Sequence, residues 1–236
     1  MPAITITGIA TMADKSLQLL RLMHLVSPSL PTGAFTYSQG LEWAVECGWV
    51  TDEESLQQWI NDLMTTSMVS LDLPVLQRMV EACSNDHYQV FADWSEFLLA
   101  SRETSELRLE ERNRGRAMHA LLPALGVQVR EEYRNKLNES QLGGFAYAAA
   151  NWEITLQETL AGYLWSWLEN MTLAGVKIIP LGQSAGQRIL SRLSPLIPGC
   201  IERSIQLLDD EIGASTPAQA IASSLHETQY TRIYRS

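Results

Sequence analysis

Histidine and cysteine side chains, the commonest metal ligands and nucleophiles after carboxylates and serine, are few and scattered in this 236-residue sequence. Four histidines stand alone, at His24, His87, His119 and His226. No HxxH or HExxH pair occurs, and no histidine lies near two cysteines, although such spacings are typical of tight metal sites. The sequence therefore predicts no metal-binding residue.

A phosphate-binding motif is also incomplete. The glycine-rich run Gly182–Gly186 is followed by Gln187 and Arg188, where a P-loop needs lysine and then serine or threonine. Without that ammonium and hydroxyl, no ordinary cradle for phosphate and Mg²⁺ forms. The sequence indicates no cluster of convergent titratable groups, so we predict no catalytic residue and no cofactor.

Charge and composition exclude further classes of protein. Lys and Arg number 17 and Asp and Glu 27, which gives a net charge of −10. Such acidity disfavours nucleic acid and anionic membranes as partners, because both attract basic proteins. No membrane span and no secretory signal are expected. The three cysteines are widely spaced and odd in number, which favours reduced thiols and a cytoplasmic location.

Apolar residues recur at helical spacing through most of the chain. After Thr51, with Glu54 predicted as its capping-box partner, residues Leu56, Ile60 and Leu63 mark one face of a helix. The same type of pattern predicts helices over residues 17–26, 38–46, 51–67, 74–83, 90–98, 105–122, 156–171, 183–193, 198–208 and 217–227. We therefore predict an all-α, single globular domain of roughly ten short helices.

The domain boundaries follow from where this pattern stops. Residues 1–15 are expected to be a flexible N-terminal extension, because the alternation over residues 3–9 has no second strand to pair with. Residues 16–225 form the all-helical domain. Residues 226–236 form a C-terminal tail. The stretch 126–144 has the weakest pattern but is too short to separate two domains.

One loop, Ser27–Glu42, combines two prolines with two glycines. The prolines fix φ and remove backbone donors, and Gly33 and Gly40 admit conformations closed to other residues. One interpretation is a corner between helices with hydroxyl caps. The other is a rigid loop that holds Tyr37, Ser38 and Glu42 toward a partner protein. The residues alone support both equally.

Charged side chains stand out in two other places. Lys177 interrupts the apolar stretch 173–183, so its ammonium either extends to solvent or meets an acidic or phosphate-bearing partner. Glu110 and Arg114 are four residues apart and are expected to pair on a solvated helix face; a charged docking face is the alternative.

The tail is aromatic and basic although the protein is acidic. Tyrosine and arginine are enriched in binding hot spots, whereas chain ends are usually frayed. A tail that becomes ordered on binding is therefore as good an interpretation as a frayed one. The candidate partner-binding residues of this tail are Tyr230, Arg232, Ile233, Tyr234 and Arg235.

Four segments together resemble the UreF family of urease accessory proteins. They are SPSLPTGAFTYSQGLEWAVE, LLASRETSELRLEERNRGRA, AGVKIIPLGQ and HETQYTRIYRS. The resemblance extends from about residue 17 to residue 236. It is weakest over residues 126–142, and residues 1–15 depart from the family's usual start.

This resemblance implies a function that composition and spacing do not. Members are all-α, dimer-forming proteins without enzymatic activity. They bind UreD, called UreH in some organisms, and then the GTPase UreG, and the complex helps to load nickel into apo-urease in step with GTP hydrolysis. We expect the tail to face UreD. The candidate UreG-facing residues are Pro31, Gly33, Tyr37, Ser38, Gly40, Glu42 and Lys177.

Other classes of function stay open from the sequence. A general helical adaptor would bind partners and have no direct role in metal loading. A direct nickel carrier would bind the ion alone. The sequence leaves open whether Glu42 or Lys177 acts on GTP hydrolysis, which surface forms the homodimer, in what order the complex assembles and by which path nickel moves.

Overall fold

The computed structural model describes residues 7–236, with side chains described from residue 14. This part of the chain is helical and contains no strand, which confirms the predicted all-α class. Its helices are α1 (Thr7–Leu25), α2 (Leu41–Glu46), α3 (Glu53–Leu63), α4 (Leu73–Ser84), α5 (Tyr88–Ser101), α6 (Ser105–Leu121), α7 (Arg134–Glu139), α8 (Gln141–Asn151), α9 (Leu156–Ile178), α10 (Gln183–Leu193), α11 (Ile197–Ser204) and α12 (Pro217–His226).

Of the expected extension over residues 1–15, residues 1–6 lie outside the described part, and residues 7–15 belong to α1. Within residues 7–236, none of the helices combines the length and apolar character needed to cross a bilayer.

The long helix α9 lies at the centre of the fold. It packs against α1, α2, α3, α4, α10 and α11, and its inner side chains, among them Leu160, Leu164 and Met171, are buried. Thr155 caps its first turn in a capping box with Glu158. Near its C-terminal end, a Cβ on Gly175 would collide with the side chain of Leu56. A larger residue at this position would force the buried Leu56 side chain of α3 to shift.

Helix α8 was not predicted from the sequence. Every residue from Gln141 to Ala149 is buried, and the helix packs against α4 and α6. A helix that is apolar on all sides has no amphipathic period to detect. Its first turn also contains Gly143 and Gly144, which weaken a helix prediction.

The predicted capping box at the start of α3 was wrong by one residue. Asp52 is the N-cap, its carboxylate accepts from the backbone N–H of Ser55, and the Ser55 hydroxyl accepts from Asp52 N–H. Glu54 lies in the first turn instead.

A π-helical segment, Met64–Asp72, joins α3 to α4 without a break. Pro74 follows in the first turn of α4; it lacks an N–H, and its ring crowds the carbonyl of Ser70. That carbonyl instead accepts a hydrogen bond from Gly213 N–H at 2.8 Å. The widened turn thus accommodates the proline and leaves a backbone acceptor that fastens the loop before α12.

Candidate interaction surface

The C-terminal tail is bound to the body of the protein by a buried carboxylate. Glu42, in the first turn of α2, is only 6% exposed. Its two oxygens accept from the backbone N–H groups of Ile233 at 2.7 Å and Tyr234 at 2.9 Å, and from the ring Nε2 of His226 at 3.1 Å. Burial and the adjacent Glu42 charge raise the pKa of Tyr234. Glu42 thus holds the tail to α2.

A second carboxylate continues this cluster from α6. The Nδ1 atom of His226 lies 2.7 Å from Glu106, and the Arg232 guanidinium donates to the same carboxylate at 2.6 Å. Both nitrogens of the fully buried His226 ring therefore face carboxylate oxygens, which only accept hydrogen bonds. The His226 ring thus links α12 to both α2 and α6.

The loop before α2 binds the end of the tail through its backbone and a hydroxyl. The backbone N–H and the Oγ of Ser38 both donate to the carbonyl of Ser236 at 2.6 Å. The N–H of Arg235 donates to the carbonyl of Thr36 at 2.8 Å. The tail therefore lies along the Ser27–Glu42 loop and is held there by a series of hydrogen bonds. The expectation of a tail that becomes ordered only on binding does not describe this chain.

Gly40 makes this arrangement possible. Its φ of +87° lies in the left-handed region, and a Cβ there would sit 2.7 Å from the backbone N of Ser223 on α12. Helix α12 can therefore lie against α2 only because residue 40 is glycine. The same φ explains why α2 begins at Leu41 rather than at Ser38, where the sequence predicted its start.

The charged face of α6 is mostly buried, contrary to expectation. Glu110 and Arg114 pair as predicted, at 2.7 Å, but Glu110 is 3% exposed. Glu110 also accepts from the Gln39 amide at 3.1 Å and from the Ser236 hydroxyl at 3.3 Å. The pair is thus part of the contact between loop, tail and α6 rather than a solvated surface pair.

A neighbouring buried ion cluster fixes the π-helical segment. Arg102 makes two hydrogen bonds to Asp72, at 2.6 and 3.1 Å, and lies 3.5 Å from Glu111. These carboxylates outweigh the burial that opposes its charge, so the pKa of Arg102 lies well above its ordinary value. The Tyr163 hydroxyl is 3.5 Å from Asp72, and burial raises the pKa of Tyr163.

The candidate residues divide into buried and exposed groups. Tyr37, Ser38, Gly40, Glu42 and Tyr234 are buried. The first four therefore shape the surface from within, and the Glu42 carboxylate is occupied by the tail instead of facing a partner. The other residues selected from the sequence are exposed, namely Pro31, Lys177, Tyr230, Arg232, Ile233 and Arg235. Gly33 is half-buried.

A cavity brings all four sequence segments together. It lies between the loop and α9, and its lining includes Leu30 of the loop, Arg114 of α6, Lys177 of α9 and Tyr234 of the tail. The exposed Phe35 on the rim was not among the candidates. The signal available in the sequence was an aromatic residue placed between the two loop glycines, Gly33 and Gly40.

Two kinds of reactive site, a metal centre and a serine nucleophile elbow, lack the required geometry in the part of the chain that the structure describes. Among the described residues, no group of three or more His, Cys, Asp and Glu side chains is arranged to hold a metal ion. The run Gly182–Gly186 also has the GxSxG spacing of a serine nucleophile elbow, which requires a strand-to-helix turn. Here it joins α9 to α10, and Ser184 is exposed on the first turn of a helix.

Comparison with known proteins gives a consistent identity. A family model described as UreF matches residues 50–194. The urease accessory protein UreF of Alcanivorax borkumensis is 50% identical over 222 residues, covering 92% of this chain and 97% of that protein. UreF of Pseudomonas putida strain W619 is 49% identical over 223 residues, covering 94% and 100%. UreF of Klebsiella pneumoniae is 42% identical over 219 residues, covering 93% and 98%. The chain therefore belongs to the UreF family of urease accessory proteins.

Proposed function

We propose that this chain is an adaptor for urease maturation that performs no chemistry itself. In this proposal a homodimer of the chain binds UreD (UreH) and the GTPase UreG. The resulting complex helps to insert nickel into apo-urease in step with GTP hydrolysis. Family membership supports the accessory role, and the partners follow from the family resemblance of the loop, the Lys177 segment and the tail.

The observation that carries the proposal is the fixed backbone of the tail. Glu42 and Ser38 hold residues 233–236 in place, so Tyr234 and Ser236 point inward, whereas Ile233 and Arg235 are exposed. Tyr230 is fully exposed. Aromatic, aliphatic and basic side chains on an already ordered backbone bind with a smaller loss of entropy than a free tail would. We assign this outward face, with Arg232, to UreD.

We assign the surface formed by the loop and the Lys177 end of α9 to UreG. Pro31 and Lys177 are exposed there, and Gly33 has a φ of +77° with open space around it. The buried Tyr37, Ser38, Gly40 and Glu42 shape this surface from within. Lys177 has no ion pair within the described residues, so its charge is available to an acidic partner.

Co-purification with UreD tests the tail assignment. Replacing both Tyr230 and Ile233 by alanine should abolish capture of UreD while leaving the melting temperature unchanged, because both side chains are exposed. Leu208→Ala is the matched control, since Leu208 is 65% exposed and lies outside the tail. Normal UreD capture by the double variant would refute the assignment.

Urease activation distinguishes metal loading from simple adaptor function. Cells in which Lys177→Ala replaces the native chain should lose UreG recruitment and contain urease with little nickel. Lys15→Ala, which removes another exposed lysine, should leave both unchanged. If cells without the chain still produce nickel-loaded urease while the chain binds both partners, it is a general adaptor and the proposed function is wrong.

A further inference from the structure

Three tryptophans form an aromatic cluster where α2 turns into α3, which we call the tryptophan patch. Trp43 lies on α2, Trp49 in the connecting turn and Trp59 on α3. The Trp49 ring contacts both of the others, in a T-shaped pair with Trp43 at a centroid distance of 5.0 Å and tilted against Trp59 at 6.5 Å. Trp49 is 47% exposed, the largest exposure among the seven tryptophans of the chain. The patch therefore presents aromatic surface to solvent.

Exposed carboxylates border the tryptophan patch on both helices. Glu46 lies one turn beyond Trp43 on α2. On α3, Asp62 lies one turn after Trp59, and the N-cap Asp52 lies two turns before it, so both acids are close to the side of the helix that carries the ring. The aromatic surface thus has a negative border at each end of α3 and along α2.

The described part of the chain supplies no base to pair with these three acids. Arg188 and Arg192 of α10 reach α3, but both pair with Glu53. Asp62 accepts hydrogen bonds from two neutral amides of its own helix. The negative charge around the patch is therefore available to a cation from outside.

At other aromatic rings the fold uses its own arginines. The guanidinium of Arg78 lies 5.7 Å from the ring centroid of Trp94, and that of Arg130 lies 4.7 Å from the ring centroid of Tyr133. A cation within about 6 Å of a ring face is attracted by it, and tryptophan gives the strongest such contact. Among the described residues, no arginine or lysine takes this position over the tryptophan patch. The patch has the composition of a cation site without a cation from its own chain.

We propose that the tryptophan patch binds an arginine side chain of a protein partner, with the guanidinium on the exposed Trp49 ring and its N–H groups directed to the bordering carboxylates. Arginine fits both parts, because its planar guanidinium stacks on aromatic rings and donates to carboxylates in a fork. The net charge of −10 attracts a basic segment to this surface. The inference goes beyond the proposed function, since it does not depend on which protein supplies the arginine.

A peptide with a single arginine tests this recognition. Acetyl-Gly-Arg-Gly-amide should shift the indole N–H signals of the tryptophan patch in an NMR titration of the full chain. The signals of the buried Trp152 and Trp167 should not move. The same peptide with citrulline, which has nearly the shape of arginine without its charge, should bind about 5- to 30-fold more weakly, the scale of one cation–π contact. Both titrations use the wild-type chain, so they do not depend on the folding of a variant.

Substitutions separate the contribution of the ring from that of the charges. Trp49→Leu keeps an apolar side chain and all three carboxylates, so it should bind the arginine peptide about as weakly as the citrulline peptide. Trp49→Phe retains a ring and should keep part of the preference for arginine. Asp62→Asn should lower both the affinity and its salt dependence. Glu202→Gln removes an exposed charge from α11, outside the patch, and is the matched control that should change neither.

Three results would overturn the inference. Equal binding of the arginine and citrulline peptides would show that charge plays no part. An undiminished preference for arginine in Trp49→Leu would show that the ring is dispensable. Movement of the patch signals on dilution of the chain alone would identify a second copy as the occupant in place of a different protein. Urease activation enters none of these measurements, so failure of the proposed function and failure of this inference are distinguishable.

Discussion

Removing the Glu42 carboxylate should detach the tail from α2. Glu42→Ala deletes the acceptor for two backbone N–H groups and for the His226 ring, all in a buried site. Breaking a buried charge pair from one side costs about 3–5 kcal/mol. The tail can separate and its N–H groups can bind water, so we expect the lower end, about 3 kcal/mol of unfolding free energy.

Urea and thermal denaturation measure this loss. For a chain of this length, about 3 kcal/mol corresponds to a decrease in melting temperature of roughly 6–12 °C. Trypsin provides a local measurement, since release of the tail exposes the backbone after Arg232. The wild-type chain should resist cleavage there, and Glu42→Ala should be cut while the rest of the protein remains folded.

Glu46→Ala is the matched control for this experiment. Glu46 lies one turn beyond Glu42 on the same side of α2 and is exposed. A surface substitution of this type changes stability by no more than about 0.5 kcal/mol. If Glu42→Ala behaves like Glu46→Ala in both stability and tail cleavage, the buried carboxylate does not hold the tail and the argument for a preformed UreD surface fails.

Other positions give sharper local tests. Gly40→Ala should destabilise the protein more than Gly33→Ala, because both have positive φ but only residue 40 abuts α12; urea midpoints compare them. Thiol labelling at pH 8 should modify the exposed Cys47 and spare Cys83, whose pKa burial raises to about 12; mass spectrometry identifies the labelled site. Hydrogen bonds from residues in the first turn of α6 lower the pKa of Glu227 below its ordinary 4.5, so its contribution to stability is present above that pH and is lost as pH falls through the lower folded-state value. Glu227→Gln should therefore flatten the acid limb of the stability profile, measured by urea denaturation from pH 6 to pH 3.

Periodic sequence patterns predicted the amphipathic helices well. The helices at 105–122, 156–171 and 183–193 are close to α6, α9 and α10. Those patterns depend on one face meeting solvent. Helix α8 is buried between α4 and α6 and has no such face. Its sequence therefore shows no helical period, and the helix was missed.

The candidate site was predicted as a set of residues but not as an arrangement. Family-like segments selected Glu42, Ser38 and Tyr234, and the structure brings them together. Their roles depend on contacts between residues almost 200 positions apart, such as Glu42 with Tyr234. A single sequence holds no signal for pairings of that separation. For the same reason it assigned the Glu110–Arg114 pair to solvent.

The proline-widened turn between α3 and α4 has a consequence for how this protein tolerates change. A proline leaves the carbonyl four residues before it without its helical donor, and here the Ser70 carbonyl accepts from the N–H of Gly213 instead. Pro74→Ala would restore a local N–H donor beside that oxygen, so the carbonyl would divide its hydrogen bonding between the helix and Gly213. The substitution that makes the helix more regular would thus weaken the hydrogen bond that anchors the loop before α12.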